Sequence, residues 1–193
     1  MATGTTLPQV IEILDDLDIL ARPDVDPRTL SLAGVRFGAE AAGTVARDRV
    51  IEVTLSPIVH RTIGGSGRDT EYYGADGEPL SREEVIENVF ETEGIVHFSG
   101  KFSYRIVGGT VSGFALYGAE RGLLAHFGYL RSHDEFLDLF GTPDLVEESI
   151  DSGELMGYRH FYRAAEKQVF WDSLDDRVNS LNVGDFEGNS RRS

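Results

Sequence analysis

The 193-residue chain has no cysteine. That excludes a disulfide, a thiolate zinc site and a cysteine nucleophile. Lysine is almost missing too: Lys101 and Lys167 are the only lysines among 18 basic residues, an arginine skew of the kind a GC-rich bacterial genome produces. No run of Lys or Arg offsets the 33 acidic residues, and the formal net charge is −15. Such a chain is repelled by phosphate backbones and anionic membranes, so neither nucleic acid nor a membrane is an expected partner. A basic protein or a cation is. No stretch approaches the roughly 20 apolar residues that cross a bilayer. The opening MATGTTLPQV lacks the basic and apolar regions of a signal peptide, so cytoplasmic residence is expected.

Catalytic signatures are also missing. TIGGSGRD has neither the P-loop lysine spacing nor the dinucleotide fingerprint, and RTIGGSGRDT (61–70) reads as a flexible loop. Ser66 is not flanked by glycines at both two-residue offsets, so it is no nucleophile elbow. His60, His97, His126, His133 and His160 are scattered singly, none in a close metal-ligand pair. No cofactor and no metal are expected. A hydrolase whose histidine and carboxylate meet from distant segments stays open.

What is present is a run of amphipathic elements. LPQVIEILDDLDIL predicts a first helix, with Thr6 as cap, Pro8 in the first turn and an apolar stripe from Val10 to Ile19. SREEVIENVF (81–90) predicts a second, with a capping box of Ser81 and Glu84. SHDEFLDLF (132–140) predicts a third, boxed by Ser132 and Glu135, with Phe136, Leu137, Leu139 and Phe140 inward. Strand-like runs are TLSLAGVRF, RVIEVTLSPIV, KFSYRIV and TVSGFALYG, the last two joined by Gly108-Gly109 as a hairpin turn; Asp76-Gly77 is another turn signal. ERGLLAHFGYL reads as a helical turn or a buried strand. MGYRHFYRA, KQVFWDS and RVNSLNVG, with two- and three-residue links, predict a three-stranded antiparallel meander. Hairpin links in place of crossover helices give an α+β fold with mostly antiparallel sheet and about three short helices. Residues 1–184 form either one domain or two lobes, 1–128 and 129–184, followed by a polar tail, 185–193.

Charge is concentrated late. Between Ser132 and Asp176, twelve carboxylates face only Arg159, Arg163 and Lys167, a net −9. WDSLDDR (171–177) sets three carboxylates around a tight turn beside the single tryptophan. It reads as a solvated turn, an acidic protein-binding edge anchored by an aromatic, or a divalent-cation site without EF-hand spacing. The protein-binding reading selects Asp144, Glu147, Glu148, Asp151, Glu154, Trp171, Asp172, Asp175 and Asp176.

Phe140-Gly141-Thr142-Pro143 marks a helix end, with Gly141 where a left-handed cap is wanted and Pro143 preventing resumption. Over 132–184 this helix, FGxP and strand order resembles the helix–GxP–hairpin unit of the BamE-like outer-membrane-assembly lipoproteins, and also small acidic immunity proteins that neutralise bacterial toxins. The chain lacks the lipobox cysteine of the former. The resemblance to the latter implies a non-catalytic partner of a basic protein. A structural or regulatory homodimer formed through a strand edge is a third possibility.

Overall fold

The computed structural model describes residues 9–55, 59–62, 70–74 and 76–184. Most of the RTIGGSGRDT loop, the cap at Thr6 and the tail 185–193 lie outside the described residues, as does the side chain of His60. In chain order the elements are β1 (Ile11–Glu12), β2 (Leu30–Leu32), β3 (Val35–Arg36), α1 (Ala41–Thr44), β4 (Val50–Thr54), β5 (Val59–Thr62), β6 (Thr70–Tyr73) and β7 (Pro79–Leu80). There follow α2 (Arg82–Glu91), β8 (Glu93–Phe98), β9 (Phe102–Val107), β10 (Thr110–Tyr117), α3 (His133–Phe140), β11 (Leu145–Asp151), β12 (Glu154–Tyr162), β13 (Lys167–Asp172) and β14 (Arg177–Gly184). The fold is α+β, as the hairpin-linked pattern predicts. Two three-stranded sheets, β1-β2-β3 and β5-β6-β7, flank an eight-stranded antiparallel sheet ordered β11-β12-β13-β14-β10-β9-β8-β4.

Local chemistry explains the elements that the sequence predicts. Ser81 accepts the Glu84 N–H while the Glu84 carboxylate accepts the Ser81 N–H, closing a full capping box. Gly108 and Gly109 both take positive φ, 56° and 75°, as a two-residue hairpin between β9 and β10 demands. Leu123–Phe127, ambiguous in sequence, forms a 3-10 helix that buries Leu124 and Phe127. The C-terminal meander contains one strand more than expected, because the acid-rich segment after Pro143 is itself β11.

The first predicted helix is not formed over the described residues. Ile11–Glu12 is a strand parallel to β2, and a 3-10 helix covers Leu17–Ala21. Glu12, Asp15, Asp16 and Asp18 stand three and four apart with no base among them, and like charges at that spacing oppose a helix. The Glu12 carboxylate has better partners: it accepts the Ser31 hydroxyl at 2.8 Å and the N–H groups of Ala33 and Gly34 at 2.8 and 2.9 Å. Burial pushes its pKa up, but the bonds from Gly34, Ser31, Leu14 and Ala33 outweigh that and hold it below the usual carboxylate value.

Two smaller expectations also change. Ser132 accepts the Glu135 N–H, yet Glu135 returns its bond to the N–H of Arg131, one residue before the cap, at 2.6 Å. Gly141 has the expected positive φ, 77°, but its ψ of −177° is extended instead of helical, so it redirects the chain without a left-handed turn.

One face of the large sheet carries Val96, Tyr104, Ile106, Phe114, Leu116, Leu181, Val169 and Trp171, all at most 2% exposed. Against it pack α2, α3 and both five-residue 3-10 helices, through Val89, Phe90, Phe136, Phe140, Leu20 and Phe127, in one hydrophobic cluster. The boundary between 1–128 and 129–184 runs through this sheet, where β10 pairs β14. Lys167 is embedded in the cluster at 1% exposure. Its ammonium donates to the carbonyls of Leu20 and Arg22, both at 2.7 Å, and sits 4.6 and 5.3 Å from the ring centroids of Tyr162 and Phe140. Burial pushes its pKa down to about 7, against the pull of Asp24.

Replacing Lys167 with Met leaves both carbonyls without their donor and should destabilise the protein by about 2–4 kcal/mol in urea unfolding. Because the unfolded lysine keeps its proton where the folded one loses it, wild-type stability gains from this residue as pH rises from 7 to 9. The Lys167→Met profile should lack that gain; an unchanged slope would show that the ammonium is not held as described.

Candidate functional site

The hairpin β11–β12 leaves the body just after Gly141 and Pro143. Its base is clamped by Asp144, whose carboxylate accepts the Arg163 N–H at 2.6 Å while its own N–H donates to the Phe161 carbonyl at 2.8 Å. Its tip, Ser152-Gly153, has φ of 51° and 87°, the two positive values of a type I′ turn. A register shift leaves Met156 without a partner on β11. Next to it, a Cβ at Gly157 would collide with the Trp171 carbonyl oxygen, so only glycine lets β12 lie this close to β13. β11 ends the sheet: β12 pairs with one side of it, and among the described residues no strand pairs with the other.

Alternation along β11 sorts its side chains. Val146, Glu148 and Ile150 stand opposite or beside His160, Tyr158 and Leu155 of β12, on the face that carries α3. The helix does not reach far enough to cover them. Val146 is 45% exposed, Ile150 60% and Leu155 36%, an apolar strip interrupted by the exposed Glu148. Tyr158 borders the strip and stacks on His133, with ring centroids 4.8 Å apart and planes at 12°. Leu145, Glu147 and Ser149 point to the other face and are half-buried.

The nine residues chosen from sequence are therefore divided. Glu148, Asp151 and Glu154 are exposed along the edge and at the hairpin tip, with Glu147 on the reverse side across from Arg159. Asp172, Asp175 and Asp176 form the β13–β14 turn at the same end of the sheet as the tip. That turn uses its own acids. Asp172 accepts the N–H groups of Leu174 and Asp175 and the Asn179 amide, and Arg177 pairs with Asp175 at 2.6 Å and Glu120 at 3.0 Å. Beside it is a cleft of ≈ 230 Å³ with an apolar floor of Leu124, Phe127, Leu130 and Val178. Asp144 lies at the opposite end, occupied in the clamp. Trp171 is 1% exposed and belongs to the core. Its position on β13, in step with Val169, turns it inward, so it is no surface anchor.

A pairing between histidines has no signal in the sequence. His133, the first residue of α3, and His160 of β12 are 27 residues apart, yet their Nε2 atoms are 2.8 Å apart. A hydrogen bond between them needs one imidazole to donate and the other to accept, which holds only while at least one is neutral. His160 is fully buried, its Nδ1 has no partner, and its ring packs 4.6 Å from that of Phe136. Burial, reinforced by neighbouring His133, pushes the His160 pKa down to about 4; burial also lowers that of His133 against the pull of Asp134. One distant histidine and carboxylate do meet, His126 with Asp18 at 2.7 Å across 108 residues, but on the exposed surface. Among the described residues no group of three or more His, Asp or Glu is arranged to hold a metal.

A folded His160 that resists protonation while the unfolded one accepts it makes stability fall as pH drops from about 6.5 towards 4. His160→Phe keeps a ring in place and removes the proton acceptor. Comparing urea midpoints at pH 7 and 4.5, the wild type should lose about 2–3 kcal/mol more than the variant; equal losses would place the acid sensitivity elsewhere.

Comparison of the chain with protein-family models, with curated proteins and with solved structures finds no match.

Proposed function

We propose that the chain is a cytoplasmic, non-catalytic binding protein whose acidic C-terminal half engages a basic protein, in the manner of a bacterial immunity protein or antitoxin. The observation that carries this reading is the open edge of β11, where exposed Val146 and Ile150 alternate with Glu148 and continue into Asp151 and Glu154 at the tip. Apolar side chains supply contact area, and surrounding carboxylates select a cationic surface and steer its approach. The net charge of −15 extends that steering over the molecule and disfavours nucleic acid. No helix of the described residues is long and apolar enough to cross a membrane.

The reading is tested by native co-purification with two baits, the wild type and a variant carrying Glu148→Gln, Asp151→Asn and Glu154→Gln. A basic protein should be retained by the wild type at about 50 mM salt, released well before 1 M as screening lengths shrink to about 3 Å, and depleted at least fivefold on the variant. Recovery of no variant-sensitive basic protein would sink the proposal.

A further inference from the structure

We infer that the partner is captured by strand addition: an extended cationic segment pairs with the open side of β11 and becomes the next strand of the sheet. The inference rests on the binding reading above and specifies how the same site would recognise its partner. Three observations carry it. β11 is seven residues long and ends the eight-stranded sheet, so every second residue directs its N–H and C=O outward along the edge. On the α3 face it presents Val146, Glu148 and Ile150, two apolar side chains with a carboxylate between them. Behind them, Tyr158 stacked on His133 continues the apolar strip towards the helix, so an added strand would find a floor as well as an edge.

Register then fixes the complementary pattern. Directly opposed side chains on adjacent antiparallel strands touch, and side chains two apart share a face. A strand laid on β11 must therefore read apolar, basic, apolar at alternate positions on the α3 side, with the Lys or Arg facing Glu148. A second copy of this chain does not fit. In a two-fold antiparallel pair centred on Glu148, Glu148 would face Glu148, while Glu147 would face Ser149 and Asp151 would face Leu145. Like charges directly opposite are destabilising. The edge thus repels itself and favours a cation.

Three synthetic peptides test this against the full chain by fluorescence anisotropy and amide hydrogen exchange. The first alternates Thr with Val, Lys and Val; the second has the same sequence with an N-methyl group at every residue, which leaves no N–H to donate along an edge; the third carries Glu in place of Lys. The first should bind, slow the exchange of β11 amides, and exceed the other two by at least tenfold. Glu148→Lys, a change at an exposed position, should reverse the preference between the Lys and Glu peptides. Equal binding of the N-methylated peptide, protection confined to other strands, no binding at 1 mM, or a peptide-independent dimer in light scattering would each overturn strand addition. Retention of a basic protein in the co-purification alongside any of these results would leave the binding reading standing and remove only the mode.

Discussion

A single buried ammonium holds the parts of this protein together. Lys167 joins the carbonyl ends of the segment around Leu20 and Arg22 to the first residue of β13, and it does so between the rings of Phe140 and Tyr162. Four regions meet at that nitrogen: the N-terminal 3-10 helix, the end of α3, the end of β12 and the start of β13. A charge in such a place is costly unless its donors are used and its field is answered by nearby dipoles. Two carbonyls and two aromatic faces offset that cost only in part, since burial still lowers the pKa to about 7, and among the described residues no carboxylate is its hydrogen-bond partner. The acids are left for the surface.

On the surface their placement serves two ends. Charge on an edge strand keeps identical molecules from pairing, and the exposed Val146 and Ile150 would make β11 a hazard without it. In the binding mode proposed above, the same charge would select a partner of opposite sign. The β13–β14 turn shows the contrast. There Asp172 builds the turn and Asp175 shares Arg177 with Glu120, so the acids are largely committed to the fold. Carboxylate density in sequence did not separate these two situations; hydrogen bonding does.

How much could be read in advance follows from the range of the interactions concerned. The α2 capping box, the Gly108-Gly109 hairpin and the meander from β12 to β14 are set by neighbours within a few residues, and all were legible. The apolar stripe of the N-terminal segment predicts a helix with Asp15, Asp16 and Asp18 as its polar face, but with Glu12 these acids stand three and four apart without a base, and that repulsion outweighs the stripe. β11 is hard to read because Glu and Asp are poor strand formers, although Asp151-Ser152-Gly153 is a turn signal and Val146, Glu148 and Ile150 share one parity. Trp171 could have been placed inside by its step with Lys167 and Val169. The His133–His160 contact was not legible at all: it depends on where α3 rests on β12, which is a tertiary fact.

The turn at Ser152-Gly153 has a consequence for what the molecule displays. Side chains on a strand alternate with a period of two, and the tight tip together with the shift at Met156 fixes how β11 lies along β12. Slipping β11 by one residue would exchange its two faces, putting Leu145, Glu147 and Ser149 above Tyr158 and turning Val146 and Ile150 to the side of Arg159. The identity of the edge is therefore stored less in its own residues than in a two-residue turn at its end. There a single inserted amino acid could reverse the surface while leaving every side chain of β11 unchanged.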